Sequence, residues 1–214
     1  MKRRLPLIIG TSLLILLPSM GAGIWLWDVL PDPMATHFGF QGMADGYSSK
    51  VFAVFGMPIM LTALHLFCLF LTSHDPRNQE QNEKVQAMVC WIVPFVSLIT
   101  TWMVFSANLG RNRLEETPMI LLLGVIFMAV GNWLPKVTRN STIGIRVPWT
   151  LEDDEIWDKT HRLGGKVWVL GGLAMIADGF AGFWMEYFML AVIVVMVGVP
   201  VGYSFLLSAK KKNG

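Results

Sequence analysis

The chain has 214 residues, of which 54% are hydrophobic and only 15% are charged, with a formal net charge of +2 and a mean hydropathy of +0.53. A water-soluble domain of this length lacks the polar surface to cover so much apolar material, which excludes an ordinary soluble globule. The small positive balance reflects membrane orientation and gives no indication of nucleic-acid binding.

A bilayer core about 30 Å thick requires roughly 20 largely apolar residues per spanning helix. Six stretches meet that length. Leu5–Trp27, Val51–Ser73, Val85–Gly110, Thr117–Pro135 and Tyr187–Ala209 contain no Asp, Glu, Lys or Arg, and Val167–Met185 is interrupted only by Asp178. Unpaired backbone groups are too costly in hydrocarbon for anything but helix, so the fold class is all-α: a bundle of six transmembrane helices in a single membrane domain over residues 1–214. The first run, at 23 residues, exceeds the roughly 7 to 15 of a signal-peptide core and is read as an uncleaved helix, with cleavage near Ala22 as the alternative. Lys and Arg favour the cytoplasmic side. With the N terminus inside, Lys2, Arg3, Arg4, Arg77, Lys84, Lys136, Arg139, Arg146, Lys159, Arg162, Lys166, Lys210, Lys211 and Lys212 are cytoplasmic. That is 14 of the 17 basic residues, leaving Lys50, Arg111 and Arg113 outside. Both termini are then cytoplasmic.

Between the first two spans lies an external loop, residues 31–50. Pro31 and Pro33 fix extended or turn backbone, and Gly39, Gly42 and Gly46 permit tight turns, so a compact loop is expected. His37, Phe38, Asp45, Tyr47 and Lys50 are its candidate ligand-binding residues; local capping and hydrogen bonding at the headgroup interface is the competing account. In the second and third spans, Cys68 and Cys90 are expected to be reduced packing thiols. His65, also in the second span, is ionisable and therefore costly in hydrocarbon.

The segment from Asn132 to Lys166 is cytoplasmic in this topology. It holds Asn132 and Pro135, then Gly144, Arg146, Pro148, Trp149 and Thr150, then Trp157, Thr160, His161, Arg162 and Gly164. Thr150 and Asp153 have capping-box spacing, and the acidic run from Glu152 to Glu155 suits a helix N-terminus, so a short helix is expected from about Leu151 to Leu163. Trp157 and His161 share one face of it, and Asp158 and Arg162 are spaced to pair. Such a helix serves as an interfacial connector or as a partner-binding surface anchored by Trp149 and Trp157. In the fifth span, Asp178 either packs or marks a conduction path.

The run from Pro31 to Lys50 resembles the DUF1648 segment found near the N-terminus of the SdpI family of bacterial membrane immunity proteins, although Met34-Ala35 stands where that family usually has Ile-Pro. The run from Asn132 through Gly144-x-Arg146-x-Pro148-Trp149-Thr150 to Trp157-x-x-Thr160-His161-Arg162-x-Gly164 resembles the same family's cytoplasmic signature. The resemblance implies a multi-pass protein of the bacterial plasma membrane that protects against a secreted membrane-active peptide toxin. In some members it also implies relay of the toxin's presence to a cytoplasmic transcriptional repressor. Membrane lipids and the toxin are the expected partners, and no cofactor is expected.

Two other function classes were weighed against this one. Transport through Asp178 and His65 lacks the paired polar groups and inverted repeats usual in transporters. An enzyme centred on His161 and the acidic run lacks metal-ligand spacing, a nucleophile elbow or a phosphate-binding glycine loop, so no catalytic or metal residue is assigned.

Overall fold

In hydrocarbon a charge-free apolar run can satisfy its N–H and C=O groups only within itself, and each such run here is helical. The computed structural model describes residues 5–39, 43–74, 76, 83–110, 116–181 and 185–213. In chain order these form α1 (Leu5–Trp25), a hairpin of β1 (Met34–Phe38) and β2 (Ala44–Ser48), and a π-helical turn (Phe52–Gly56) that runs into α2 (Met57–His74). Then come α3 (Glu83–Asn108), α4 (Glu116–Trp133) with a 3-10 turn at Leu134–Lys136, α5 (Pro148–Glu152), α6 (Asp154–Ala181) and α7 (Met185–Asn213).

Five helical stretches are long and apolar enough to cross a membrane: Pro6–Trp25, Phe52–His74, Val85–Asn108, Asp154–Ala181 and Tyr187–Lys212. The fourth expected span falls on a shorter apolar helix, Ile120–Lys136. The distribution of polarity is that of a membrane protein. Leu17, Phe70, Leu190 and Leu206 are exposed, whereas Thr11, Ser19, His65, Ser97, Thr160, His161 and Asp178 are buried. Among the cations that orient the chain, Lys2, Arg3, Arg4, Arg77, Arg111 and Arg113 lie outside the described residues.

The chain divides into two compact units, Met1–Leu71 with Gln86–Leu114 and Thr72–Val85 with Glu115–Gly214. In the first unit, Leu30, Met34, Ala53, Val54, Val104 and Phe105 form the apolar core. Side-chain hydrogen bonds stitch its helices: Ser19 to Thr101 at 2.6 Å joins α1 to α3, and Thr11 to His65 at 3.0 Å joins α1 to α2. Such bonds contribute about 0.6 kcal/mol each in a membrane interior.

In the second unit α4 and α6 approach closely because glycine faces glycine. A Cβ on Gly165 would lie 2.7 Å from the Gly131 carbonyl oxygen and from Pro135 Cγ, so only a bare backbone fits there. Trp168 Nε1 donates to the Met196 carbonyl at 3.0 Å and ties α6 to α7.

One local expectation is overturned. The expected short helix does not run from Leu151 to Leu163; a one-turn helix, α5, is followed by α6, which continues without a break through Gly164 and Gly165 to Ala181. Pro148 occupies the first turn of α5, a position its fixed φ favours. Extended backbone at Asp153 (φ −137°, ψ 120°) then ends α5. The Asp153 carboxylate accepts from the Glu155 and Ile156 backbone N–H groups at 2.9 and 3.1 Å, which makes Asp153 the N-cap of α6. Thr150 is no cap for a longer helix; its hydroxyl oxygen accepts from the Val147 N–H at 3.0 Å inside the preceding turn.

Candidate functional site

The first candidate site is the hairpin. Its strands pair antiparallel, Met34 with Ser48 and Ala35 with Tyr47, with irregular register on either side of His37. One face is pinned. Met34 is fully buried, and Phe38 packs against Met103 and Ala107. Asn108, at the end of α3, accepts from the Ala35 N–H at 2.8 Å and donates to the Ala35 carbonyl at 2.9 Å, so a single amide side chain clamps both backbone groups of one strand residue. At the hairpin base, Lys50 donates from Nζ to the Trp27 carbonyl at 2.9 Å, where its ammonium caps the end of α1, and the Lys50 backbone N–H reaches Asp32 Oδ1 at 3.1 Å.

The opposite face is open. His37 Nδ1 and Asp45 Oδ1 meet at 2.5 Å, with side chains 76% and 54% exposed. Tyr47 is 61% exposed. A pair this wet contributes about 0–1 kcal/mol, so it sets the shape and charge of a surface more than it holds the fold. Of the five loop residues singled out from the sequence, His37, Asp45 and Tyr47 are available to a ligand, while Phe38 and Lys50 are occupied in packing and tethering.

The second candidate site is the signature over residues 132–164, and here Gly144, Thr150, Trp157, His161 and Gly164 converge on one another. His161 is 1% exposed; its Nδ1 lies 2.8 Å from the Trp157 carbonyl and its Nε2 3.0 Å from the Ile145 backbone nitrogen. The carbonyl can only accept and the backbone N–H can only donate. The ring is therefore neutral with its proton on Nδ1. Trp157, also 1% exposed, stacks on the imidazole at 4.0 Å between centroids and donates from Nε1 to the Val137 carbonyl at 2.8 Å. Gly144 has φ +116°, and a Cβ there would strike His161 Nε2 and the Trp157 ring, so both the backbone conformation and the space demand glycine. Gly164 is similarly close-packed, against Ile145 and Leu134.

Around this stack the loop is held by its own polar groups. The Thr150 hydroxyl lies 2.9 Å from the carbonyls of Ile145 and Val147. Trp149 Nε1 donates to Ser204 Oγ at 2.8 Å, and its ring meets Phe205 edge-on. Arg146 donates to the Ser141 carbonyl. Thr160 is buried, and its hydroxyl has no partner among the described residues. Asn132, Pro135 and Lys166 lie on a groove between α4 and α6. Asp158 and Arg162 are both exposed and form no pair among the described residues; the i, i+4 bridge on this helix is Glu155 to Lys159 at 2.6 Å. Of the two roles expected for this helix, connector or partner-binding surface, the enclosed and hydrogen-bonded Trp157 fits the connector. A tryptophan whose N–H is paired and whose ring is stacked presents no surface to a partner.

Several positions that hold this loop in shape carry no motif and give no signal in the sequence. Asn140 is fully buried and organises the loop. Its Oδ1 accepts from the N–H groups of Thr142 and Ile143, and its Nδ2 donates to the carbonyls of Thr138 and Ile143. Arg139 pairs with Asp154 at 2.5 Å and donates to the Leu151 carbonyl at 2.6 Å. Lys211, near the end of α7, pairs with Asp153 at 2.6 Å and holds that carboxyl below its usual range, with the Ile156 N–H assisting. Of the intramembrane polar pair, His65 is bonded to Thr11, and Asp178 is 8% exposed with no hydrogen bond to a described residue.

The two sites coincide with two family matches. Residues 14–62 match a domain of unknown function, DUF1648, and enclose the hairpin. Residues 136–204 match the SdpI/YfhL protein family and enclose the stacked Trp157–His161 pair. Over 186 residues, 87% of this chain and 87% of the relative, the sequence is 24% identical to a Bacillus subtilis (strain 168) protein named "Immunity protein SdpI". No solved structure matches the chain. The SdpI-type match extends past the signature loop into α7, which agrees with the hydrogen bond from Trp149 to Ser204.

Proposed function

We propose that this chain is a non-enzymatic immunity protein that protects a bacterium against a secreted membrane-active peptide toxin. The toxin is met by the open face of the hairpin and the adjoining helix ends. The observation that carries this reading is the hairpin itself: a motif shared with the SdpI type, rigidly clamped by Asn108 on one side and presenting His37, Asp45 and Tyr47 on the other. A fixed surface with an aromatic, a carboxylate and an imidazole suits an amphipathic peptide and binds without the cost of ordering a loop.

Expression in a toxin-sensitive host tests it. The chain should confer survival under toxin challenge. Combined replacement of His37, Asp45 and Tyr47 by alanine should abolish survival while membrane insertion and melting stay unchanged. Killing at the control rate, with the wild-type chain inserted normally, would sink the reading for that toxin.

Relay to a cytoplasmic repressor is proposed only through the exposed rim of α6, where Asp158 and Lys159 face solvent, because the stacked Trp157 is withdrawn from contact. Equal recovery of a DNA-binding protein on wild-type chain and on an Asp158→Asn, Lys159→Gln variant would remove that rim from consideration. Asp178 keeps a second reading, ion conduction, in view, since a buried carboxyl without a hydrogen-bond partner among the described residues is costly. If Asp178→Asn leaves both proton flux in vesicles and protection unaltered, it is a packing residue.

A further inference from the structure

The basic side chains described in the second unit are engaged in different ways: Lys136 lies over the Trp133 ring, Arg146 donates to the Ser141 carbonyl, and Lys210 and Lys212 are exposed at the end of α7. Arg139, Lys159 and Lys211 are each engaged by a carboxylate, from Asp154, Glu155 and Asp153 respectively. Arg162 and Lys166 are exposed and have no carboxylate partner among the described residues. They are four residues apart on α6 and so share a face, and that face continues one turn further as Val169 and Leu170. Beneath it lies a groove of about 420 Å³ lined by Gly131, Asn132 and Pro135 of α4 and its 3-10 turn and by Gly165, Lys166, Val169 and Leu170 of α6. No carboxylate lines it. Gly131 and Gly165 bring the two helix backbones into direct contact beside the groove, Pro135 stiffens one side, and Leu170, 65% exposed, shows that its apolar end is uncovered.

The groove thus runs from the Lys166 ammonium and the Asn132 amide to an aliphatic wall, with Arg162 one turn before Lys166 on the same helix face. We propose that this groove is a binding site for one anionic phospholipid, its phosphate between Lys166 and the Asn132 amide, Arg162 at its outer edge, and an acyl chain along Val169 and Leu170. The occupant follows from charge complementarity and from the polar-to-apolar gradient, since neither a free anion nor an uncharged lipid would use both ends. Anionic lipid bound there would lie beside the close glycine contact between α4 and α6.

The purified full chain, incubated in non-ionic detergent with phosphatidylglycerol, phosphatidylcholine or glycerol phosphate, can be read by native mass spectrometry as the fraction carrying one ligand. Phosphatidylglycerol should be retained well above the other two. Arg162→Gln and Lys166→Gln should each lower its retention about fivefold, as expected for a cation near an anionic surface. Lys166→Arg should preserve it, and Lys159→Gln, which removes a cation already paired, should leave it unchanged. Equal retention of phosphatidylcholine, or an equal loss in Lys159→Gln, would overturn a specific site in favour of general surface charge. Glycerol phosphate binding as well as the lipid would overturn the lipid as occupant.

Discussion

The hairpin of the first unit and the signature loop of the second are both short segments between apolar helices, both punctuated by Gly and Pro, and both rich in polar and aromatic residues. They use those residues in opposite ways. In the hairpin the polar groups divide: Asn108, Asp32 and Lys50 hold the base, while His37, Asp45 and Tyr47 are left to solvent. In the signature loop they close on themselves, with the His161 ring, the Trp157 indole and the Asn140 amide each satisfied by backbone of the same loop or helix. The contrast separates two meanings of a motif. A dense pattern of unusual residues marks a place where backbone must be held in one shape, and side chains that such a pattern leaves exposed are the ones free to meet something else.

The sharpest way to break this comparison is at Gly144. An alanine there must adopt φ near +116° and occupy the space of His161 Nε2. Left-handed strain of about 1–3 kcal/mol and loss of a buried hydrogen bond of about 1–3 kcal/mol combine to a predicted destabilisation of about 2–6 kcal/mol. Thermal melting in detergent should show a large fall in midpoint, and a midpoint within a degree or two of wild type would mean that the stack is not the keystone of the loop.

Asn108→Ala is the corresponding change at the hairpin, and its predicted effect is smaller and local. Two backbone groups of Ala35 lose their partner at the edge of the bundle, where water can replace it, so the cost is about 1–2 kcal/mol. Hydrogen exchange at the Ala35 amide should accelerate roughly tenfold while protection of α6 is unchanged. Acceleration spread over both units would show that the hairpin is not a separately held element.

What was readable beforehand follows from the solvent. Hydrocarbon admits so few backbone solutions that charge-free runs of about 20 residues specify helices almost outright. The i, i+4 relation of Trp157 and His161 was equally legible, because helical geometry alone places them on one face. Gly164 and Gly165 were ambiguous by nature. Glycine ends helices in water, yet inside a bundle it allows backbones to touch, and only the position of Gly131 decides between the two. Pro148 carried a usable signal, since proline prefers the first turn, and it correctly moves the helix start upstream of Thr150. Asn108 and Asn140 carried none, because a lone amide has no periodicity and its partners are backbone atoms brought close only by the fold.

The smallest predicted effect concerns the junction between α5 and α6, and it tests whether charge or hydrogen bonding holds the loop's rim. Asp153 caps α6 and meets Lys211 at 2.6 Å, and the ammonium first, then the Ile156 N–H, keep its carboxyl below the usual carboxylate range. A depressed folded-state pKa means that this stabilisation is fully present above the unfolded value, about pH 4, and disappears as pH falls through the lowered folded value. Asp153→Asn retains an oxygen that can accept from the Ile156 and Glu155 N–H groups but carries no charge for Lys211. The variant should melt slightly below wild type at pH 6, and the difference should vanish as pH falls through the lowered folded-state value and the wild-type carboxyl is neutralised. If the two melting curves stay parallel across that range, the cap rests on backbone geometry alone and Lys211 is a bystander at the rim.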